Sequence, residues 1–351
     1  MENKLLIPIC IPTCNRYEHL KRCVESLSKC TLASETDLII SVDYPPSDKY
    51  VDGNEKIKKW LERGIEGFNS VQIFFQEKNL GAYDNAGFLS GYVVDKYKGI
   101  VILEDDNELS PCFLEYLNEC YKIIEKDENV ISASGFCSLS KYHSYPNNIS
   151  YVKTYSAWGT VVSSSILKTL NSELTYDYLT NIIKSKQKSK KLLELSEYRF
   201  VHLVYYVLDD LAGFEDKNEM LIDIFISIYM AIEDKYQIQP HECLVKNWGN
   251  DGSGVHCSSE ESYIESVQIS DSKHFNIEYK KEYDNRKIEE KQLFQDSRVF
   301  SDRQVKWFIF LSEIFRLFGK DTAKSLHFFV KNLMKKWEGS RLRKIYKAIR
   351  R

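Results

Sequence analysis

The stretch Ile100-Val101-Ile102-Leu103-Glu104-Asp105-Asp106 joins four apolar residues directly to three carboxylates. A short apolar run of this kind is typical of a strand buried in a sheet, and the change to acidic residues marks its carboxyl end. Three adjacent carboxylates raise one another's pKa unless a cation lies among them. Mg²⁺ and Mn²⁺ take oxygen ligands and commonly keep coordination places for phosphate oxygens. One interpretation of the stretch is therefore a strand that ends in a metal–phosphate site.

The same residues allow a second interpretation. Acidic turns are common before helices, and a helix is predicted to start near Pro111 with Ser110 as its cap. The three carboxylates would then stabilise a turn and bind nothing. From these residues alone both interpretations stay open.

Outward from this stretch, strands and helices alternate along the chain. Strands are predicted at residues 5–11, 37–42, 71–76 and 99–103, and helices at 17–27, from 56 onward and at 82–97. Further strands are expected at 130–134 and 161–164, and a helix at 221–233. This order predicts an α/β fold with a mostly parallel sheet flanked by helices, whose ligands lie at the carboxyl ends of the strands.

Three more segments follow predicted strands and are candidates for the same edge of the sheet. Asp43 ends the second strand, where it could contact a nucleotide base or ribose, or only form a turn before two prolines. The segment Asn79-Leu80-Gly81 opens a helix and offers backbone amides to phosphate. Arg16 begins the helix after the first strand and could meet a diphosphate, although a surface position is the commoner fate of an arginine.

In this order, the motifs resemble those of the GT-A nucleotide-sugar glycosyltransferases. They are Ile11-Pro12-Thr13-Cys14-Asn15-Arg16, Ser41-Val42-Asp43, Asn79-Leu80-Gly81, Leu103-Glu104-Asp105-Asp106 and Ser110-Pro111-Cys112-Phe113-Leu114. The set is similar to family 2 enzymes and, at the acidic triplet and its sequel, to the N-acetylglucosaminyltransferase I family. The resemblance spans about residues 5–257 and implies a GT-A fold (Rossmann-like) and transfer of a sugar from a nucleoside diphosphate.

The resemblance also implies roles for individual residues. Asp106 would ligate Mn²⁺ or Mg²⁺ that bridges the donor diphosphate, Glu104 and Asp105 would contact ribose or donor sugar, and Asp43 would bind the base, commonly uracil. Donor-binding roles are likewise implied for Pro12, Thr13, Arg16, Asn79 and Gly81.

Inverting transfer requires a carboxylate that takes the proton of the acceptor hydroxyl. Related bacterial enzymes carry Trp-Asp before an apolar helix, and Leu221-Ile222-Asp223-Ile224-Phe225 is similar, with Ile222 in place of tryptophan. Asp223 is therefore the predicted catalytic base, and Glu219 is the second choice. An aspartate stabilised by a helix amino terminus is the other explanation.

Two further segments are similar to pocket elements of these enzymes. Residues 244–257 resemble the loop that closes the donor site, with Trp248 to cover a sugar and His256 to bind metal or phosphate. Trp158 and Gly159 stand where related enzymes line the sugar pocket. A structural histidine and an ordinary core tryptophan are the alternatives.

Charge is divided unevenly along the chain. The net charge is −3, which argues against a general polyanion binder, yet residues 303–351 carry 14 Lys and Arg against 3 Asp and Glu, or +11, leaving −14 for residues 1–302. One apolar stripe of this basic tail comprises Leu326, Phe329, Val330, Leu333, Met334 and Trp337, and a second comprises Leu342, Ile345, Tyr346 and Ile349. This pattern predicts a basic amphipathic helix on an anionic membrane surface. A partner helix or helical packing onto the body are the alternatives, and no nucleic-acid binding is expected.

Compartment is predicted from what the sequence lacks. No window offers about 20 apolar residues, and Pro8 and Pro12 interrupt the apolar amino terminus, so neither a membrane span nor a signal peptide is expected. The nine cysteines form no CxxC pair and are expected to be reduced. A cytoplasmic protein, peripheral on the inner face of the plasma membrane, is the expectation.

Taken together, these observations predict a nucleotide-sugar-binding half at 1–130, an acceptor-binding and catalytic half at 131–257, a connector at 258–302 and the tail at 303–351. The expected activity is metal-dependent, inverting transfer from a UDP-sugar to a surface-polysaccharide or lipid-linked glycan acceptor. A sugar-nucleotide nucleotidyltransferase is disfavoured because residues 12–15 lack glycine, and a noncatalytic carbohydrate-binding or scaffold protein is the third possibility.

Overall fold

A computed structural model describes residues 6–137, 148–208, 222–249, 251–253, 267–277 and 300–338. The chain divides into two compact units, of which the first comprises Met1–Glu173 and Tyr229–Gln295. The second comprises Leu174–Ile228 and Asp296–Arg351. This division differs from the predicted boundaries near residues 130, 257 and 302, because helices from the middle of the chain pack with helices from its carboxyl-terminal part.

The first unit is built on a mixed sheet in which eight strands are described, in the spatial order β3-β2-β1-β4-β8-β6-β9-β7. A separate antiparallel pair is formed by β5 and β10. The strands are β1 (Ile9–Thr13), β2 (Asp37–Val42), β3 (Ser70–Phe75), β4 (Gly99–Ile102), β5 (Asn107–Leu109), β6 (Val130–Ser134), β7 (Ile149–Val152), β8 (Thr160–Ser163), β9 (Tyr236–Pro240) and β10 (Val245–Asn247).

Strand direction confirms the predicted α/β sheet over its amino-terminal half. β1 pairs in parallel with both β2 and β4, and β2 pairs in parallel with β3. β8 is antiparallel to β4 and to β6, which makes the whole sheet mixed. The four predicted amino-terminal strands therefore end at one edge of the sheet.

Helices cover both faces of this sheet. In the first unit they are α1 (Tyr17–Leu27), α2 (Asp48–Leu61), α3 (Ala82–Val93), α4 (Phe113–Ile124) and α5 (Ser164–Glu173). Because side chains alternate along a strand, Ile9 and Ile11 of β1 join the core cluster that contains residues of α1 and α4, whereas Cys10 joins a cluster with Leu89 and Val93 of α3.

The second unit is helical over its described residues. It contains α6 (Tyr176–Lys184), α7 (Lys186–Leu195), α8 (Glu197–Leu208), α10 (Asp302–Phe318) and α11 (Lys320–Glu338), and α9 (Ile222–Ile232) runs from it into the first unit. The predicted carboxyl-terminal helices are thus present. None of the described helices is both long enough and apolar enough to cross a membrane.

The basic tail forms packed helices up to the limit of the described side chains. α10 buries Val305, Phe308, Leu311 and Phe315 at helical spacing and packs on α6 and α8. α11 buries Ala323 and His327, whereas Phe329, which the predicted stripe contained, is 62% exposed. The packed face is therefore rotated from that stripe; residues 339–351, with the second stripe, lie outside the described residues.

All eight cysteines that the structure describes are free thiols. Burial raises the pKa of Cys30 to about 12, and five others also have raised values. Cys243 is the exception, because a contact with Cys137 lowers its pKa to about 7. The ninth cysteine, Cys257, lies outside the described residues.

Candidate active site

The parallel strands bring the predicted site residues to one edge of the sheet. Thr13 ends β1, Asp43 directly follows β2, and the three carboxylates follow β4. Thr13 Oγ1 donates a hydrogen bond to Asp105 Oδ2 at 2.7 Å, and the Asp43 backbone N–H donates to the Thr13 carbonyl at 2.8 Å. Pro12, also predicted, lies inside β1 opposite Ser41 of β2.

Arg16, immediately before α1, joins the two buried carboxylates. Its Nη2 bonds Asp105 Oδ1, and its Nη1 lies 2.8 Å from Asp106 Oδ2. Asp105 is 4% and Asp106 6% exposed. Burial raises the pKa of Asp106, Arg16 acts in the opposite sense, and the charge of Asp105 adds to the rise. Burial would lower the pKa of Arg16, but the two carboxylates outweigh it and raise that pKa.

These carboxylates do not cap the following helix. α4 starts at Phe113 with Cys112 as its N-cap residue, and no side chain caps it. Between the carboxylates and α4 the chain forms β5, which the sequence did not predict. The interpretation of residues 104–106 as a capping turn for α4 is therefore wrong.

The β5–β10 pair brings a distant loop to the same carboxylates. Asn247 lies opposite Asn107 in this pair, and its Nδ2 donates to Asp106 Oδ1 at 3.0 Å and to Glu104 Oε2 at 3.1 Å. Its Oδ1 accepts from the Gly249 N–H at 2.7 Å. A Cβ at Gly249 would collide with the Asp106 carboxylate. Sequence reasoning included Asn247 in a loop motif but did not select it, because its partner strand was not predicted.

Trp248 is fixed by its own contacts beside this site. Its Nε1 donates to Glu108 Oε2 at 2.7 Å, and its backbone N–H donates to the Asp106 carbonyl at 2.9 Å. The guanidinium of Arg22 and the ammonium of Lys246 each lie 4.4 Å from a ring centroid of Trp248. Cation–π contacts of this kind hold the indole in place.

Asp43 is the centre of a hydrogen-bond cluster. Its carboxylate accepts from the backbone N–H groups of Tyr44, Leu80 and Gly81 at 2.8–2.9 Å, and from Asn79 Nδ2 at 3.1 Å. Four donors match the roughly four lone-pair positions of a carboxylate. Gly81 has a φ of +82°, which glycine adopts at low cost. Asp43 therefore fixes the segment that opens α3.

Two buried asparagines support the strand ends and were missed in the sequence. Asn54 Nδ2 donates to the carbonyls of Cys14 at 2.7 Å and Asp43 at 2.8 Å. Asn85 Nδ2 donates to the carbonyls of Ser41 at 3.1 Å and Thr13 at 3.3 Å. Both lie inside helices, and their spacing alone carries no signal that they reach back to the sheet.

The GNT-I family model matches residues 1–144. This part of the chain carries the strand-end cluster, which consists of Thr13, Arg16, Asp43, Asp105 and Asp106. The matched region is less than half of the 351 residues, and it is similar to the GNT-I family of glycosyltransferases. The mostly parallel sheet with flanking helices agrees with the α/β fold class that was expected.

Several solved structures are similar to this chain. TarS of S. aureus matches with 11% identity and a TM-score of 0.35, over 61% of this chain and 44% of TarS. TarS 1–349 in complex with UDP matches with 12% identity and a TM-score of 0.34, over 61% of this chain and 73% of that one. Mouse xyloside xylosyltransferase 1 in its apo form matches with 10% identity and a TM-score of 0.31, over 48% and 71%. The chain thus spans less than half of the length of TarS, and a search of curated proteins finds no match.

Trp158 and Gly159 lie between β7 and β8. Trp158 is half-buried and meets Phe136 edge-on, with ring centroids 4.6 Å apart. Gly159 has a φ of +61°, and a Cβ there would come within 2.7–2.9 Å of Phe113 and Val245. Gly159 therefore has a packing role, and Trp158 keeps a partly exposed face.

The predicted base belongs to the second unit, and the predicted histidine lies outside the described residues. Asp223 occupies the first turn of α9 in the second unit, and its carbonyl accepts from Ser227 Oγ at 2.7 Å. Glu219 and His256 lie outside the described residues. Farther along the loop after β10, Asp251 pairs with His19 Nε2 of α1 at 2.9 Å. Partial burial would raise the pKa of Asp251, but hydrogen bonds from Ser253 and His19 lower it to about 2.

Proposed function

We propose that this chain is a metal-dependent, inverting glycosyltransferase that transfers a sugar from a UDP-sugar to a surface-polysaccharide or lipid-linked glycan acceptor. The observation that carries the proposal is the buried pair Asp105 and Asp106 at the end of β4, which already shares a cation, Arg16. The pair lies at the edge of the sheet where ligands of parallel α/β folds bind.

The donor atoms at this edge fit Mn²⁺ or Mg²⁺ shared with a substrate. Among the described residues, no three His, Cys, Asp or Glu side chains are grouped to hold a metal by themselves. Mg²⁺ is commonly held by one or two carboxylates together with substrate phosphates. Asn107 Oδ1 is buried and accepts no hydrogen bond from the described residues, while its Nδ2 donates to Asp106. Asp106 would hold the metal as expected, and in this proposal Asp105, for which a contact to ribose or donor sugar was expected, would hold it as well.

The chain's own residues would bind and orient the donor. When bound, the metal stabilises the negative charge that forms on the departing diphosphate. Arg16 can bind diphosphate oxygens through two parallel N–H groups. The Asp43 cluster, with Asn79 and Gly81, would shape the nucleoside part of the pocket, and Trp158 and Trp248 would bound the sugar.

Asp223 is the proposed general base. The acceptor oxygen forms a bond to the anomeric carbon, the bond from that carbon to the phosphate oxygen breaks, and the acceptor proton moves to the Asp223 carboxylate. Attack from the face opposite the leaving group inverts the anomeric centre. His256 is proposed as a further contact to metal or phosphate.

Thermal unfolding tests the donor and metal assignment. A ligand that binds the folded state raises Tm by mass action, so UDP with Mn²⁺ should raise the Tm, and GDP or CDP should do so less. Asp106→Asn should abolish the shift. Asp95→Asn, which changes a carboxylate that is 80% exposed and paired with Lys168, is the control and should keep it. Indifference of the wild type to all three nucleotides would refute the assignment.

A second variant tests the base. Asp223→Asn should bind UDP with Mn²⁺ like the wild type and lose sugar transfer, measured as UDP release in the presence of acceptor. Normal turnover by Asp223→Asn would move the role to another acid, such as Glu219.

The acceptor side includes an anionic membrane, which the tail would contact at the inner face of the plasma membrane. Leu317 and Phe318, the last two residues of α10, are 71% and 63% exposed, and the sequence carries six basic residues within 339–351. Exposed apolar side chains and basic charge both favour binding to an anionic interface.

Vesicle sedimentation tests this contact without disrupting the helices that pack in the second unit. Deletion of residues 339–351, or the double change Leu317→Ser and Phe318→Ser, should each weaken sedimentation with phosphatidylglycerol vesicles. Neutral phosphatidylcholine vesicles should retain little of any variant. Sedimentation that neither change reduces would remove the membrane from the proposal.

A further inference from the structure

Arg16 occupies the position between the two site carboxylates that a bound cation would need. Its guanidinium contacts Asp105 Oδ1 and faces Asp106 Oδ2 at 2.8 Å. The Arg16 side chain is 20% exposed, against 5% and 7% for the two aspartate side chains. The Arg16 guanidinium thus approaches the two buried carboxylates from the side nearer to solvent.

The remaining oxygens of the pair are already engaged by the protein. Asp105 Oδ2 accepts from Thr13, and Asp106 Oδ1 accepts from Asn107 and Asn247. The two oxygens that Arg16 contacts, Asp105 Oδ1 and Asp106 Oδ2, accept from no other described donor and are therefore the most available to a metal. A divalent ion and a guanidinium at the same oxygens would repel each other strongly at such short separation.

The contact of Arg16 with Asp106 is less directed than its contact with Asp105. Nη1 is buried and makes no aligned hydrogen bond among the described residues, although it lies within ion-pair distance of Asp106. A long, half-satisfied arginine can turn toward another anion. The forked guanidinium matches the oxygens of a diphosphate in two parallel hydrogen bonds.

We propose that Arg16 is an internal counter-ion that holds the metal position while no donor is bound, and that the donor diphosphate draws it away. This inference rests on the proposed function. Metal and nucleotide then bind as a coupled pair, because each favours the state in which Arg16 has left the carboxylates. Such coupling is reciprocal, so UDP raises the affinity for metal by the same factor as metal raises the affinity for UDP.

Titration of the intact protein with Mn²⁺ alone, followed by the electron paramagnetic resonance signal of free Mn²⁺, tests the proposal without any activity measurement. Arg16→Gln should bind Mn²⁺ about tenfold or more tightly than the wild type, because the competing cation is gone. Lys21→Gln removes one positive charge from α1, the helix that follows Arg16, at an exposed side chain that pairs with Glu25, and should change the affinity by less than about twofold. Arg16→Lys keeps a charge but not the fork, and should fall between the wild type and Arg16→Gln.

Repeating the titration with UDP, corrected for Mn²⁺ bound by free UDP, separates the two levels of the proposal. UDP should raise the Mn²⁺ affinity of the wild type by a larger factor than that of Arg16→Gln. Equal or weaker Mn²⁺ binding by Arg16→Gln, in a protein whose wild type binds Mn²⁺ with UDP, overturns the counter-ion role and leaves the proposed function intact. No Mn²⁺ binding by the wild type even with UDP overturns both. If Arg16→Gln fails to fold by circular dichroism, Arg16→Lys gives the same decision.

Discussion

Asp37 and Asp43 stand at opposite ends of β2, and both are buried carboxylates with several donors. Asp37 accepts from Ser70 Oγ, Asn69 Nδ2 and Tyr97 Oη at 2.6–2.9 Å, at the amino end of the strand. Asp43 accepts four N–H groups at the carboxyl end. The two residues share their chemistry, so only their place in the sheet separates a structural carboxylate from a site carboxylate.

This matched pair gives a prediction at the residue scale. Asp37→Asn and Asp43→Asn should each lower the free energy of unfolding by about 1–3 kcal/mol, since each removes charged acceptors from buried donors. Only Asp43→Asn should also weaken UDP binding, measured by calorimetry on the folded protein. A comparable loss of UDP affinity in Asp37→Asn would show that the cluster around Asp43 has no special relation to the donor.

Asp37 also predicts a pH dependence. Burial would raise the pKa of Asp37, but the hydrogen bonds from Ser70, Asn69 and Tyr97 outweigh it and lower that pKa. A carboxylate with a lowered folded-state pKa stabilises the protein above its unfolded pKa, about 3.9, and loses that contribution as the pH falls toward the folded value. The stability gap between wild type and Asp37→Asn in urea should therefore be full at pH 7 and shrink below about pH 4. A gap that widens in acid would contradict this sign.

At the scale of elements, the approach of the β10 loop to β4 decides the geometry of the site. Gly249 permits that approach, because a side chain there would overlap the Asp106 carboxylate. The sequences of β5 and β10 do not reveal that these strands pair, because each strand is only three residues long.

Gly249→Ala should therefore displace Asp106 and weaken binding of UDP with Mn²⁺, measured by calorimetry. Gly91→Ala is its control, because Gly91 is an exposed residue of α3 with nothing within 4 Å of an added Cβ. That change should leave binding intact and stabilise the protein by about 0.5–1 kcal/mol, the usual gain of alanine over glycine inside a helix. If Gly249→Ala binds UDP with Mn²⁺ as the wild type does, the loop that carries residue 249 moves and Asp106 keeps its position.

A second pair of glycines separates backbone strain from packing. Gly159 and Gly64 both have positive φ, +61° and +89°, but a Cβ would meet Phe113 and Val245 only at Gly159. Gly64→Ala should cost about 1–2 kcal/mol for the left-handed backbone. Gly159→Ala should cost about 1–3 kcal/mol more, because it also overfills the core. If urea unfolding shows that the two variants lose the same free energy of unfolding, the Phe113 side chain must be able to move away from the added methyl group.

At the scale of the whole molecule, the family match and the strand-end cluster belong to the first unit, while the proposed base Asp223 belongs to the second. Binding of UDP with Mn²⁺ should therefore slow amide hydrogen exchange around residues 13–16, 79–82, 104–108 and 245–249. Helices α6 and α7 should exchange as before, because no proposed donor contact lies in them. Protection confined to the second unit would place the donor elsewhere.

Several features of this protein follow from local sequence. The alternation of apolar runs and helical spacing predicted β1 to β4 and the helices between them, because buried strands and amphipathic helices have different hydrophobic periods. The acidic triplet and Asp43 were predicted to share an edge because parallel strands end together. The observed strands and helices agree with the first prediction, and the contacts that join Asp105 and Asp43 through Thr13 agree with the second.

Only the tertiary structure decided the rest. The pairing of β5 with β10, and with it the role of Asn247 and Gly249, joins segments about 140 residues apart, and no local period encodes such a pairing. The tertiary structure alone also places Arg16 between Asp105 and Asp106. The sequence around an arginine at the start of a helix is the same whether its side chain is solvated or ion-paired. Local sequence determines which elements form, because propensity and period act over a few residues. Which side chains meet depends on how distant elements pack, and that is where the chemistry of this site arises.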